Sequence, residues 1–280
     1  MTTIADTVHY FAGYAQNKAQ FLKSNPVGFA VSALMAGAYV GVGIILILSV
    51  GQTADASIRN LVMGASFGIA LILVVFAGSD LFTGHAMYAT HGRLLGTIGN
   101  GDALRSWAAT WSGNLVGSIC VATLFIVGGG GVVLHSGGET LLYAVASKKM
   151  SGSAIELIAR GMLCNWLVCL SLWSGARTKN DAAKCIIIFW CLYAFIASGF
   201  EHSVANMTVF SLALLSDPPA SVTVSGAAHN LLWVTVGNLL SGVIVMGFGY
   251  WLVAGRPGGA KISIRTEGYE KNLPGNVEDG

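Results

Sequence analysis

The chain has 280 residues, of which 54% are hydrophobic and only 10% charged, with a formal net charge of +2. A soluble domain is about a quarter charged, so these few charges cannot cover a water-facing surface and a lipid bilayer must cover most of it. The small net charge gives no ground for a nucleic-acid partner.

Ile4, Val8, Phe11, Ala15 and Leu22 recur at helical spacing, with Asp6, Gln16 and Lys18 elsewhere on the wheel. No uninterrupted apolar core and no cleavage site mark a signal peptide, so residues 1–25 read as an amphipathic helix lying at the membrane interface. Asn25 and Pro26 then turn the chain into the first of six apolar tracts, at 27–50, 61–78, 106–133, 155–176, 185–215 and 231–254. Several reach the roughly 20 residues a helix needs to cross the hydrocarbon. The second runs into AGSDLFTGHAM at 77–87, and the fifth is interrupted by SGFEHSVANM at 198–207. The pattern predicts an all-α integral membrane protein with six transmembrane helices over 26–255, helices 2 and 5 being broken by loops. Residues 256–280, rich in Gly and charge, read as a disordered cytoplasmic tail. Glu139 and Asp217 read as solvated loop charges.

With an even number of spans both termini share a side. That side collects eleven basic residues: Lys18, Lys23, Arg93, Arg105, Arg177, Lys179, Lys184, Arg256, Lys261, Arg265 and Lys271. The other holds Arg59, Lys148 and Lys149, and Arg160 sits near the start of the fourth tract. The asymmetry places both termini in the cytoplasm. The five cysteines are odd in number, lack CxxC spacing and lie in apolar tracts, so they read as buried small hydrophobes. The Gly run at 128–131 and the small residues of the two GNL segments read as close helix packing. No phosphate-binding loop is present.

The two polar interruptions are alike: a small residue, Gly, one residue, an acid, a polar pair, then Met. Asp80 and Glu201 lie 121 positions apart, and GNLVGS at 113 matches GNLLSG at 237, an offset of 124. The halves are about 26–133 and 153–255. Three spans per half is odd, so the second half sits inverted, and repeat-related broken helices point to a transport pathway at the midplane. Each break starts a half-helix whose N–H groups and positive dipole end point inward, and two such ends facing one cavity favour an anion. Asp80 and Glu201 are expected to accept hydrogen bonds from the loop N–H groups and hold the breaks in shape, since an unpaired acid at this depth is costly.

DLFTG, GFEHSVANM and CNWLVCLSLW together resemble the formate/nitrite transporter family, and GHAM with HNLLWVTVGN is most similar to its nitrite-channel branch. The resemblance runs from about Asn25 to Trp251. It implies an aquaporin-like six-helix protomer, a homopentamer with one pore per protomer, a bacterial inner membrane, no cofactor or metal, and nitrite or a related small monovalent anion as cargo. Formate and hydrosulfide are the nearest rival cargoes.

Carried over by residue, the resemblance makes His202 the central pore histidine, Thr83 the threonine of the first loop and Asn165 the asparagine facing it. Phe67, Leu71 and Leu81, with Phe195 from the other half, match the hydrophobic slits beside the histidine. Lys149 matches the lysine of the external vestibule, with Lys148 as the adjacent alternative. Glu201 and Asn206 match the acid and asparagine flanking the histidine, and Asp80 is the corresponding acid of the first loop. From the residues alone, Thr83 and Asn165 equally suit tying up loose backbone groups, the four slit residues are ordinary packing residues, and Lys149 is a solvated loop charge. His85 follows the first loop closely and is a further selectivity candidate, whereas the histidines show no paired ligand spacing for haem or metal. A water or glycerol channel of the aquaporin type would carry two Asn-Pro-Ala loops, and the Asn-Pro here precedes the first span. A Ser/His hydrolase using Ser203 or Ser79 lacks the GxSxG elbow, and neighbours such as His202 and Ser203 align poorly as base and nucleophile.

Overall fold

The computed structural model describes residues 2–135 and 140–258, so Glu139 and most of the expected C-terminal tail lie outside the described residues. All regular structure among the described residues is helical: α1 (Ile4–Ser24), α2 (Pro26–Thr53), α3 (Arg59–Ser66), α4 (Gly68–Phe76), α5 (Phe82–Leu94), α6 (Asn100–Val127), α7 (Gly131–Leu134), α8 (Leu141–Met150), α9 (Ala154–Ala176), α10 (Asp181–Ala197), α11 (Ser203–Leu215), α12 (Val224–Leu240), a π-helical stretch Ser241–Phe248, and α13 (Gly249–Val253). Among the described residues five stretches are long and apolar enough to cross a membrane: Pro26–Thr53, Arg59–Phe76, Asn100–Val127, Ala154–Ala176 and Val224–Val253.

Local sequence explains most helix ends. Thr3 and Asp6 form a capping box that opens α1. The Asn25 N–H donates to the Phe21 carbonyl, closing α1, while its side chain accepts from the Gly28 N–H and opens α2. Pro26 then stands at the first helical position, where its missing N–H costs nothing. Arg59 folds back onto the carbonyls of Gly51 and Ala54 at the end of α2.

Two helix pairs form the frame: α2 packs along α6, and α9 along α12. Their close approach explains the glycines of the repeated GNL segments. A Cβ on Gly117 would stand 1.8 Å from the Leu34 carbonyl oxygen, and one on Gly237 would stand 2.3 Å from that of Ile158. The 128–131 glycines do something else. Gly128 caps α6 and Gly129, Gly130 and Gly131 all take positive φ, so the run is a turn into α7, not a packing surface.

The chain leaves helix twice in matching ways. Gly78 and Gly199 both take φ 72°. Beside them, Ser79 N–H donates to the Val74 carbonyl and Phe200 N–H to that of Phe195, the six-to-one bond of a Schellman ending. Two residues intervene, Asp80 and Leu81 in one half and Glu201 and His202 in the other, before α5 and α11 begin. The core cluster joins α2, α4, α9, α10 and α11 around these two interruptions.

The apolar stripe of α1 is buried on protein: Val8, Phe11 and Ala12 pack with Met87, Trp173 and Met246. Two elements have no counterpart in the periodicity. A ten-residue helix, α8, occupies the connection that reads as a loop, and the last long helix passes through π geometry between Ser241 and Phe248. The π stretch seats Gly242 against Ala86 and Gly247 against Thr90 of α5.

Gly117→Ala is expected to lower the melting temperature in detergent, because overpacking of this kind costs about 1–3 kcal/mol. Gly101→Ala, on the same helix with nothing within 4 Å of the added carbon, should leave it unchanged or raised. Equal melting of both variants would show that α2 and α6 do not pack this closely.

Candidate functional site

Each interruption is held by one asparagine from the GNL segment of its own half. Asn114 Nδ2 donates to the carbonyls of Ala33 (2.7 Å) and Asp80 (2.9 Å), and its Oδ1 accepts from the Phe82 N–H (2.9 Å). Asn238 repeats the pattern with the carbonyls of Gly161 (2.8 Å) and Glu201 (3.1 Å) and the Ser203 N–H (2.9 Å). The Asp80 and Glu201 N–H groups donate to the Ser32 and Arg160 carbonyls. Both asparagines are fully buried. Their roles were missed in the sequence, although the repeated Asn was the signal: a buried amide with two donors and two acceptor lone pairs is suited to bridging broken backbone.

The acid side chains are not spent on the loops. Asp80 Oδ1 is shared by Lys18 Nζ (2.9 Å) and His85 Nε2 (3.0 Å), while Ser32 donates to Oδ2 (2.7 Å). Glu201 Oε2 accepts from Lys149 Nζ (2.9 Å) and Asn206 Nδ2 (2.6 Å). This corrects the expectation that the carboxylates accept from loop N–H groups: the loop backbone is held by asparagine amides, and each acid instead meets a lysine. Lys18 comes from α1, which packs on α5, and Lys149 from α8, which packs on α11. The repeat therefore extends to a leading helix in each half, and Lys149 lies on a helix, not in a loop. Lys148 is exposed and Lys149 is the one paired. Asn206 also donates to Asn230 Oδ1 (2.8 Å), whose amide donates to the Lys149 carbonyl (2.8 Å).

The starts of α5 and α11 meet at His202. It is the N-cap of α11, and its Nδ1 accepts from the Ala205 N–H at 3.0 Å. Its Nε2 lies 3.2 Å from Thr83 Oγ1. With Nδ1 held as an acceptor, the neutral ring carries its proton on Nε2 and donates toward the threonine. Phe195 stacks on the imidazole at 6.0 Å, and Phe67 meets Phe195 edge-on at 5.5 Å. Asn165 donates to the carbonyls of Thr83 (3.2 Å) and Asn238 (2.7 Å), so its amide ties the two halves together.

A cavity of about 10 Å³ at His202, room for about one water, is lined by Phe67, Leu71, Leu81 and Phe195 among others. Leu71 and Leu81 also line a larger cavity of about 310 Å³, with Tyr10, Tyr14, His85 and Lys184. These two leucines therefore stand between the two cavities, the larger of which lies on the α1 side. All four predicted slit residues are thus gathered around His202.

The sequence profile described as formate/nitrite transporter matches residues 5–252. The nitrite transporter NirC of Salmonella typhimurium (strain LT2) is 51% identical over 261 residues, 92% of this chain and 96% of that protein. A solved structure titled FNT family ion channel superposes with a TM-score of 0.86 at 51% identity, covering 89% of this chain and 98% of that one. A second, titled pentameric formate channel with formate bound, gives a TM-score of 0.67 at 25% identity, covering 81% and 96%.

Asn114→Ala and Asn238→Ala each strip three hydrogen bonds from buried backbone groups, and each is expected to cost about 2–4 kcal/mol. Thermal unfolding in detergent should show similar losses at both positions. A loss at one only would mean that the two interruptions are not equivalently held.

Proposed function

The chain belongs to the formate/nitrite transporter family, and from that premise we propose that it is a channel for nitrite, with one pore through each protomer centred on His202. It is a multi-pass membrane protein and, like its named transporter relatives, not an enzyme. The observation that carries the pore reading is the meeting of two helix starts at one histidine, its Nε2 aimed at Thr83 across the interface between the halves.

On this reading the six spans are α2, α3 to α5, α6, α9, α10 to α11, and α12 to α13, with the second three inverted relative to the first. Both termini face the bacterial cytoplasm, where the basic residues collect. The amide N–H groups of Phe82 and Ser203 are already taken by Asn114 and Asn238. The attraction for an anion therefore rests on the two helix dipoles and on Nε2–H. Lys149, neutralised by Glu201, holds the opposite vestibule in shape and adds only a local dipole there.

An anion entering the small chamber must shed water between Phe67 and Phe195 on one side and Leu71 and Leu81 on the other, which excludes larger hydrated ions. Nε2–H then turns from Thr83 to the anion, with no proton transferred: Nδ1 is committed to Ala205, so charging the ring would break the N-cap. Homopentameric assembly follows the solved relative titled pentameric, and it would cover exposed apolar residues such as Val116, Ile119 and Leu124.

Purified protein in liposomes should pass nitrite, with formate and hydrosulfide tested beside it. His202→Ala is expected to cut nitrite flux by about tenfold or more, since a hydrogen bond to a charged group is worth about 1.5–3 kcal/mol. Thr83→Val should have a smaller effect. Faster formate than nitrite flux would change the cargo and keep the channel. Glycerol passage without anion flux would sink the anion reading.

A further inference from the structure

The two acids of the repeat differ in their second partner. Five residues after Glu201 stands Asn206, whose amide cannot titrate; five residues after Asp80 stands His85, which can. We propose that His85 is the residue through which protons on the α1 side set the admission of anions to the pore. The inference rests on the channel reading above.

The ring of His85 is buried between two groups that accept either protonation state. Asp80 accepts, so Nε2 carries a hydrogen, while Nδ1 lies 2.8 Å from Ser106 Oγ, a hydroxyl that donates to a bare nitrogen or accepts from a protonated one by rotation. A second proton is therefore taken up without moving a heavy atom. His202 differs, because its Nδ1 is fixed by a backbone N–H, which can only donate.

The charged and titratable groups around His85 come from several elements. Lys18 of α1 shares the same Asp80 oxygen, with Tyr14 beneath its ammonium at 5.2 Å. Tyr88 of α5 tilts against the imidazole at 5.8 Å. From α2 and α6 come Ser32 on the same acid, Phe29 edge-on to the ring, and Trp107, whose indole N–H donates to the His85 carbonyl. Lys184 of α10 lines the same vestibule. With His85 neutral, Asp80 and Lys18 cancel. With His85 protonated the cluster carries one net positive charge, beside the cavity that leads past Leu71 and Leu81 to His202. At the other acid, Lys149 and Glu201 cancel and the third partner, Asn206, stays neutral.

Nitrite uptake into inside-out and right-side-out membrane vesicles, corrected for vesicles lacking the protein, separates the two faces. Lowering the pH on the α1 face from about 8 to about 6 should raise uptake from that face several-fold. In His85→Asn, which copies the other half, uptake should no longer respond to pH on that face. An unaltered pH response in His85→Asn, or a flat response in the wild type, overturns the proposal. Absence of any protein-dependent anion uptake instead overturns the channel reading. If His85→Asn fails to assemble, Ser106→Ala decides: loss of the Nδ1 partner should shift the midpoint of the response, and an unshifted midpoint counts against the proposal.

Discussion

Everything at the centre of this protein depends on one requirement: backbone N–H and C=O groups at membrane depth must find partners inside the protein. Interrupting a helix exposes several of them, and each unpaired group costs several kcal/mol. The protein meets the requirement with two buried asparagines, Asn114 and Asn238, each bridging its interruption to the neighbouring long helix. The glycines that let α2 approach α6, and α9 approach α12, are part of the same solution. They bring the Ala33 and Gly161 carbonyls within reach of those amides.

Charge follows from the same requirement. Asp80 and Glu201 are both buried, and an isolated carboxylate at such depth would be far too costly. Lysines reach them from helices that precede each half, α1 and α8. Those helices thus have an electrostatic as well as a packing reason for lying where they do. Pairing cancels the charge of each acid against its lysine.

The two histidines, His202 and His85, are held in different ways. Hydrogen-bond partners decide the difference. Nδ1 of His202 faces a backbone N–H, which can only donate, while Nδ1 of His85 faces a hydroxyl, which can donate or accept.

The sequence by itself determined the membrane setting, the apolar tracts, the positions of both polar interruptions and the correspondence between Asp80 and Glu201. Hydropathy and local spacing carry that information within a few tens of residues. The gathering of Phe67, Leu71, Leu81 and Phe195 around His202 was legible only through resemblance, since composition treats them as ordinary core. Tertiary structure alone decided which partners the acids take, that α8 is a helix presenting Lys149, that α1 is seated on α5, and that Asn114 and Asn238 hold the interruptions. The lysine pairs and the asparagine bridges join residues from 32 to 81 positions apart. No periodicity encodes such pairings, because a buried polar atom selects its partner by distance and geometry in the folded chain.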